Sequence, residues 1–464
     1  MNKYKKLISN SLIFAIGNLG SKLIVILLVP LYTYYLTPAE YGVSDLIMTT
    51  TSLLLPIVSM SIFDGVLRFV MDKNDNKEVF YSGFIITIFG NIIILLIFIL
   101  NSIFNWYSDL KIFNYILILL SLQSFQSLLN QYVRAVERIK LFAINGILTT
   151  IILMSFNIIL IVKYNMGIEG YIYSQIMSLF VSNIFLMYMV KIKNLIYKVS
   201  FNKELTKNML LYSLPLIPNA LMWWIINSSN RYVILLFLGA SANGLFAVAS
   251  KVPSVISIFQ SIFFQSWQLS AIEEYESDDK GDFYSKTFNY FSLFMIFITY
   301  FIIVFVKLLF KLVISPDYFV TWKLVPFLTL GVMYSSFSAF LGTNYIASKE
   351  TKGILKTTII GGFLNIVISI ILVQIIGLQG VGIATSISFF IVFIVRYYDT
   401  QKYIQMRIDW KKFIFLNLIL IIQSLVLFQI KGIGVLAISI ILFTILVFIC
   451  KKDIYSVVFW RKNK

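Results

Sequence analysis

Long apolar stretches separated by short polar segments dominate the pattern of this chain. A helix that crosses a bilayer needs about 20 mostly apolar residues, and fourteen stretches meet that requirement. They cover residues 10–35, 41–69, 79–101, 112–133, 141–162, 169–190, 209–238, 244–268, 288–308, 324–346, 354–375, 380–398, 412–430 and 433–450. The pattern therefore predicts an all-α integral membrane protein with fourteen transmembrane helices.

The composition agrees with a protein that faces lipid. Of the 464 residues, 59% are apolar and only 13% are charged, whereas soluble domains average about 45–50% apolar and about 25% charged residues. A soluble fold of this size could not bury the excess apolar surface. The chain has no histidine and a single cysteine, Cys450, which excludes histidine-based catalysis, His or Cys-rich metal centres and intrachain disulfides. We therefore expect no cofactor and no metal ion.

Lysine and arginine are divided unequally between the two sets of loops. The formal net charge is +17, and an N-terminus in the cytoplasm puts most of the 38 basic residues on the cytoplasmic side. Basic loops favour that side of a membrane. The distribution therefore supports an even number of spans with both termini in the cytoplasm, and it explains the charge without a nucleic acid partner.

Two pairs of short segments repeat in the same order along the chain. Residues 36–42 (LTPAEYG) precede the second span, and residues 238–244 (LGASANG) precede the eighth. Residues 167–170 (GIEG) and 377–380 (GLQG) join the fifth to the sixth and the eleventh to the twelfth span. Because six spans separate the members of each pair, the repeats have the same orientation, as in many transporters. The repeat predicts an N-terminal six-helix lobe at 1–190, a cytoplasmic linker at 191–208, a C-terminal six-helix lobe at 209–403, and helices 13 and 14 with a cytoplasmic tail at 404–464.

Prolines inside the second, seventh and eighth predicted spans are candidate kinks: Pro56, Pro215, Pro218 and Pro253. A proline removes a backbone hydrogen bond and kinks a helix, although membrane helices also tolerate proline. Kinks in the first two helices of the C-terminal lobe would suit a bending gate.

Polar side chains recur at helical spacing on several spans. The seventh span carries, at intervals of four, Asn219, Trp223, Asn227 and Arg231. A charge at a helix centre costs about 2.5–3.5 kcal/mol on insertion scales, so such residues usually face a cavity or a partner. We therefore expect Lys22, Arg231 and Lys251 to line a polar cavity. The other candidates are Asn18 on the first span, Asp64 and Arg68 on the second, and Gln123, Ser127, Asn130, Arg134 and Arg138 on the fourth.

Simpler roles are open to the same residues. Asn, Gln and Ser can form interhelical hydrogen bonds, Asp64 and Arg68 can pair within one helix, and Arg134 can extend to the cytoplasmic surface.

The mid-span charges include more cations than anions, of which Asp64 is the clearest, and this surplus favours an anionic occupant of the cavity. A carrier of cationic drugs would need intramembrane carboxylates, and Asp45 and Glu137 fall near predicted helix ends.

Two further stretches carry recognisable residues. The opening contains Asn10-Ser11-Leu12, Gly17-Asn18, Pro30-Leu31-Tyr32 and the segment 36–42, and the seventh and eighth spans contain Ser229-Asn230-Arg231-Tyr232-Val233-Ile234, Leu238-Gly239 and Gly244-Leu245-Phe246. Together they resemble the Wzx-type polysaccharide flippases of the multidrug/oligosaccharidyl-lipid/polysaccharide (MOP) exporter superfamily. The resemblance extends over nearly the whole chain and implies a MATE/MOP-like fold. In that family an aspartate often precedes the arginine. Because Asn230 stands there, we expect no such Asp–Arg pair and an Arg231 that is free for an anion.

The resemblance implies a flippase, not an enzyme, in the bacterial cytoplasmic membrane. Its substrate would be an undecaprenyl-pyrophosphate-linked oligosaccharide for a capsule, an exopolysaccharide or an O-antigen, moved by alternating access. The pyrophosphate would suit Lys22, Arg231 and Lys251, and Trp223 could stack on a sugar ring. The implied partners are that lipid-linked glycan, membrane lipids, a coupling ion (H⁺ or Na⁺), and polysaccharide polymerase and export proteins.

Three alternatives stay open. A cation-coupled multidrug exporter of the same superfamily requires carboxylates deep in one lobe. A lipid II flippase would also be lined by cations. A membrane-embedded glycosyltransferase or polymerase would need catalytic carboxylates and a large outside loop, whereas the longest predicted outside loop is only residues 309–323.

Overall fold

The computed structural model describes residues 20, 24–71, 76–104, 109–197, 199–348, 350, 352–430 and 433–459. Every regular element in this part of the chain is helical, which confirms the predicted all-α class. The helices are α1 (Val29–Tyr35), α2 (Pro38–Val58), α3 (Ile62–Met71), α4 (Asn76–Phe104), α5 (Leu110–Ala135), α6 (Ile139–Asn157, extended by a π-helical turn at Ile158–Lys163), α7 (Gly167–Met189), α8 (Ile192–Ile196), α9 (Lys203–Ser213), α10 (Leu216–Lys251), α11 (Ser254–Glu273), α12 (Lys280–Val313), α13 (Val325–Ala347), α14 (Lys352–Ile376), α15 (Leu378–Thr400), α16 (Trp410–Gln429) and α17 (Ile433–Phe459).

Twelve segments of the described chain are long and apolar enough to cross a membrane. Half of the predicted first span lies outside the described residues, and its end lies in the short apolar helix Ile24–Tyr35. One of the twelve segments is the long stretch Lys203–Lys251. Within it Gly239, with φ 83° and ψ 179°, breaks α10 in two. This break coincides with the turn predicted between the seventh and eighth spans. The total of fourteen spans stays a prediction.

The predicted second span is two helices instead of one. α2 ends at Val58, two residues after Pro56. Met60 and Ser61 then adopt left-handed φ values of 52° and 47° before α3 begins. The continuous helix predicted at 41–69 is therefore wrong.

Two more predicted spans are interrupted at a proline. Pro215 separates α9 from α10 inside the span predicted at 209–238. Pro253 separates α10 from α11 inside the span predicted at 244–268. Proline lacks the amide that would continue the helical hydrogen bonds, so the predicted helices end there.

Each of the two Gly-x-x-Gly joints begins with a glycine of positive φ. Gly167 and Gly377 have φ values of +53° and +64°, a conformation that favours glycine. Gly170 and Gly380 lie where the second helix of each joint approaches the preceding one. A Cβ there would be 3.2 Å from a backbone carbonyl carbon at Gly170 and 2.3 Å from a carbonyl oxygen at Gly380. A Cβ therefore meets the preceding helix at both joints, closely at Gly170 and with a severe clash at Gly380.

The chain divides into two compact units, Met1–Tyr232 and Val233–Lys464. The boundary lies inside α10, so the first half of this helix belongs to the first unit. In that unit the fully buried side chains of Ile62, Phe80, Leu128 and Met209 join α3, α4, α5 and α9 in one core. The lobe limits predicted from the repeat stay a prediction.

The core of the second unit is aromatic. Phe337 and Phe340 of α13 are fully buried and pack against Phe288 of α12. Phe393 of α15 stacks on Phe288 at a ring-centroid distance of 5.8 Å. α13 is the most enclosed of the apolar segments described, with 78% of its central residues buried.

Candidate functional site

A line of polar contacts joins α2 to the first half of α10 within the first unit. Trp224 Nε1 donates to the Thr49 carbonyl oxygen at 3.0 Å, and Thr50 Oγ1 lies 2.7 Å from Tyr232 Oη. Arg231 Nε donates to Asp45 Oδ2 at 2.6 Å. We refer to Asp45, Thr49, Thr50, Trp224, Arg231 and Tyr232 as the polar seam. In a membrane helix such contacts hold neighbouring helices together.

The start of α2 determines where Asp45 lies. The Thr37 hydroxyl accepts a hydrogen bond from the Glu40 amide at 3.3 Å, and the Glu40 carboxylate accepts one from the Thr37 amide at 2.9 Å. This capping box, with Pro38 at the first helical position, starts the helix three residues before the predicted span. Asp45 is therefore about two turns inside α2. Its predicted position near a helix end was wrong.

The ion pair also corrects the expectation that Arg231 is free for an anion. Asn230 removes the acid that often precedes this arginine in the flippase family, but tertiary packing supplies another from α2. The two side chains are only 17% (Arg231) and 13% (Asp45) exposed. At that burial, mutual pairing offsets part of the desolvation cost of both charges. Sequence reasoning missed this partner because 186 residues separate the two positions, although the Thr37-x-x-Glu40 signature could have placed Asp45 inside the helix.

Two other predicted site residues lie on the exposed side of α10. Trp223 is 50% exposed, and Asn227 is also exposed. The Asn227 amide donates to the Trp223 carbonyl oxygen at 2.7 Å. Asn230, in contrast, is buried. The stripe of Trp223, Asn227 and Arg231 thus follows one side of the helix, with the charged residue turned into the seam.

A second group of predicted residues meets between α3 and α5. Gln131 donates to Asp64 Oδ1 at 3.3 Å, and Arg134 Nη1 donates to the Gln131 amide oxygen at 2.9 Å. Arg134 also lies over the Phe142 ring, 5.6 Å from its centroid. Gln131 therefore bridges an acid and a base that the sequence had placed on separate spans. Arg68, the other candidate on α3, is exposed.

Three further candidates are Lys251, Asn18 and Lys22. Lys251 is half-buried at the end of α10 in the second unit, and its carbonyl oxygen accepts a bond from Ser254 Oγ. Asn18 and Lys22 lie outside the described residues. The expected grouping of Lys22, Arg231 and Lys251 around one anion therefore stays a prediction.

A further cation, Arg396 of α15, is buried inside the second unit, with 6% exposure. Its guanidinium donates three bonds of 2.9 Å, to Thr357 Oγ1, Ser338 O and Thr358 Oγ1. All three acceptors are neutral oxygens, and they come from α13 and α14. The arginine on α15 therefore ties three helices together. The search for mid-span charges missed it because it lies only four residues before the helix end.

Carboxylates do not gather into a metal centre in the described part of the chain. None of its residues forms a group of three or more His, Cys, Asp or Glu side chains that could hold an ion. The chemistry that the described residues offer is recognition of charge and hydrogen-bonding groups.

Comparison with known proteins gives a family for this arrangement. The family model described as polysaccharide biosynthesis protein matches residues 7–268, which is more than half of the chain and includes the whole seam. No curated protein matches the sequence.

Solved structures show the same fold at low sequence identity. The lipid II flippase MurJ in an inward closed conformation is 16% identical with a TM-score of 0.70, over 96% of this chain and 100% of that one. An inward-facing multidrug resistance MATE transporter of the MOP superfamily is 16% identical with a TM-score of 0.65, over 84% and 94%. A MOP superfamily transporter from Pyrococcus furiosus is 15% identical with a TM-score of 0.57, over 85% and 94%. At these identities the likeness concerns the fold, and the family model carries the assignment: this chain belongs to the polysaccharide biosynthesis protein family.

Proposed function

We propose that this chain moves undecaprenyl-pyrophosphate-linked oligosaccharide repeat units from the inner to the outer leaflet of the bacterial cytoplasmic membrane by alternating access. Such units feed the synthesis of a capsule, an exopolysaccharide or an O-antigen. The observation that carries the proposal is Arg231, a largely buried guanidinium on an apolar helix in a member of the polysaccharide biosynthesis protein family. Arginine binds phosphate groups through paired N–H donors, which suits a pyrophosphate. Lys22 and Lys251 would add further positive charge.

The same side of α10 supports recognition of the glycan. Trp223 and Asn227 lie two turns and one turn before Arg231, and both are exposed. An aromatic ring offers an apolar face for a sugar ring, and an amide offers a donor and an acceptor for sugar hydroxyls. A charged group and sugar-binding groups on one helix face would fit the two parts of a lipid-linked oligosaccharide.

One observation favours the multidrug-exporter alternative: Asp45 is a carboxylate inside α2. That carboxylate is paired with Arg231, so the pair adds no net negative charge that would attract a cationic drug. We therefore keep the flippase of an anionic lipid as the main proposal, with lipid II as the alternative substrate.

A deletion strain tests the proposal directly. We expect lipid-linked oligosaccharide to accumulate on the inner leaflet while surface polysaccharide disappears, and the wild-type gene to reverse both effects. Arg231→Ala should insert in the membrane without restoring export. Arg231→Lys should restore part of export if charge alone matters, and little if a bidentate contact is needed.

Lys111→Ala is the matched control. Lys111 is an exposed cation in an ion pair of 3.0 Å with Glu169, it is not one of the seam residues, and such surface pairs contribute little. This variant should restore export fully. Unchanged surface polysaccharide in the deletion strain would refute the proposal. Accumulation of lipid II with normal surface polysaccharide would assign the alternative substrate.

A further inference from the structure

The Arg231 guanidinium is paired with an anionic group of the chain itself. The Asp45 carboxylate receives its Nε–H at 2.6 Å, and both side chains are largely withdrawn from solvent. Carboxylates and phosphates bind the same face of a guanidinium by the same charge-assisted hydrogen bonds. A substrate diphosphate that binds Arg231 must therefore share this donor group with Asp45 or displace the carboxylate from it.

We propose that Asp45 is a resident counter-anion that competes with the substrate diphosphate for Arg231. The inference rests on the proposed function and adds a positioning residue to it. While the site is empty, Asp45 keeps the guanidinium oriented and neutralised. When the diphosphate arrives it takes over the guanidinium, and when it leaves the carboxylate returns. Asp45 thereby weakens substrate binding and favours substrate release.

The contact is suited to such an exchange. The Nε bond goes to one carboxylate oxygen, Oδ2, and a guanidinium has further N–H donors that can bind an incoming anion. A diphosphate carries more negative charge than a carboxylate and offers several acceptor oxygens. The diphosphate can therefore displace the Asp45 carboxylate from Arg231.

The rest of the seam keeps α2 and α10 together without the ion pair. Trp224 bonds to the Thr49 carbonyl oxygen and to Ser52 Oγ, at 3.0 and 3.2 Å. Tyr232 and Thr50 share a hydrogen bond of 2.7 Å. Neutralising Asp45 should therefore leave the helices packed, which makes the exchange testable in a folded protein.

The test measures diphosphate binding to the purified full-length chain in detergent, with farnesyl diphosphate as the probe and farnesol as the uncharged comparison. Removal of the competitor in Asp45→Asn should tighten farnesyl diphosphate binding by about tenfold or more, equivalent to about 1.4 kcal/mol. Asp45→Glu, which retains the competing charge, should stay within about threefold of wild type, a difference under 1 kcal/mol. Arg231→Gln should lose most of the binding, and farnesol should be insensitive to all three changes.

Asp399→Asn is the matched control in the second unit. Asp399 also pairs with a cation, Lys402, at 3.0 Å, and its neutralisation should leave farnesyl diphosphate binding unchanged. A structural role for Asp45 alone would lower stability without raising affinity, so only competition predicts tighter binding. Equal or weaker binding to Asp45→Asn, in protein that elutes as a single folded species, would overturn the proposal.

Transport gives a second, independent readout. In the complemented deletion strain, Asp45→Asn should bind the substrate more tightly and export polysaccharide more slowly, because release loses its internal competitor. Tighter diphosphate binding in a protein whose deletion leaves surface polysaccharide intact would support the competition and refute the proposed function. A clear export defect in the deletion strain without the affinity gain would support the function and refute the competition.

Discussion

Replacing Gly380 by alanine should destabilise the second unit far more than the corresponding change at Gly170 destabilises the first. At Gly380 the new Cβ would lie 2.3 Å from the Leu372 carbonyl oxygen and 2.4 Å from its carbon, both backbone atoms. Ordinary contact begins at 3.4 Å, so the joint between α14 and α15 must open by about 1.1 Å, the difference between 3.4 and 2.3 Å. At Gly170 the neighbouring atoms would have to move by only a few tenths of an ångström, because the nearest of them lie 3.1 and 3.2 Å from the added Cβ.

The expected cost follows from two opposing effects. Forcing a group into a packed site with a backbone shift costs about 1–3 kcal/mol, and we assign the upper end, about 3 kcal/mol, to Gly380→Ala. Alanine regains up to about 1 kcal/mol of helix propensity over glycine, which leaves a net loss of about 2 kcal/mol. At Gly170 the packing cost is about 1 kcal/mol. The gain in helix propensity offsets it, so the free energy of unfolding should hardly change.

Unfolding of the full-length chain by SDS in mixed micelles measures the two free-energy changes against wild type. Gly170→Ala is the control because it occupies the same place in the repeat and makes the same chemical change. Equal destabilisation by the two substitutions would refute the steric argument. A neutral Gly380→Ala would show that the joint opens without cost and that glycine is not needed there.

Three further predictions concern the polar contacts, and the same unfolding measurement checks each. Asp45→Asn and Arg231→Gln should each lower the free energy of unfolding by about 3 kcal/mol, because each leaves one buried charge unpaired. The double variant should lose at least 1 kcal/mol less than the sum of the two single losses. Additive losses would contradict the ion pair. Arg396→Lys should lose about 2 kcal/mol, because an ammonium group cannot reproduce three fixed guanidinium bonds, and wild-type stability would show that those bonds are dispensable. Glu40→Ala should cost about 1 kcal/mol by removing half of the capping box of α2, and the absence of any loss would count against that cap.

Much of the fold could be predicted because hydropathy and glycine spacing are local properties. Apolar stretches of spanning length predicted the all-α class, and the two Gly-x-x-Gly segments marked joints that each begin with a glycine of positive φ. The position of the turn before the eighth span was also correctly predicted, since Gly239 breaks α10 there. The continuity of three spans was wrong, because apolar side chains continue past Pro56, Pro215 and Pro253 where the backbone does not remain helical.

The candidate site could be predicted only in part. The helical spacing of Trp223, Asn227 and Arg231 placed them on one stripe, and the resemblance singled out the arginine. Arg134 and Asp64 were named separately, but only the packing of α3 against α5 shows that Gln131 joins them. Residues that meet across helices leave no periodic signal in either helix.

What the sequence determined by itself is that this chain spans a membrane and that it must place several charges inside apolar helices. The tertiary structure decided how those charges are compensated: Arg231 by a carboxylate from α2, and Arg396 by neutral oxygens of α13 and α14. The physical reason is that insertion into lipid depends on each segment's own side chains, whereas the cost of a buried charge depends on whichever groups packing brings within hydrogen-bond distance.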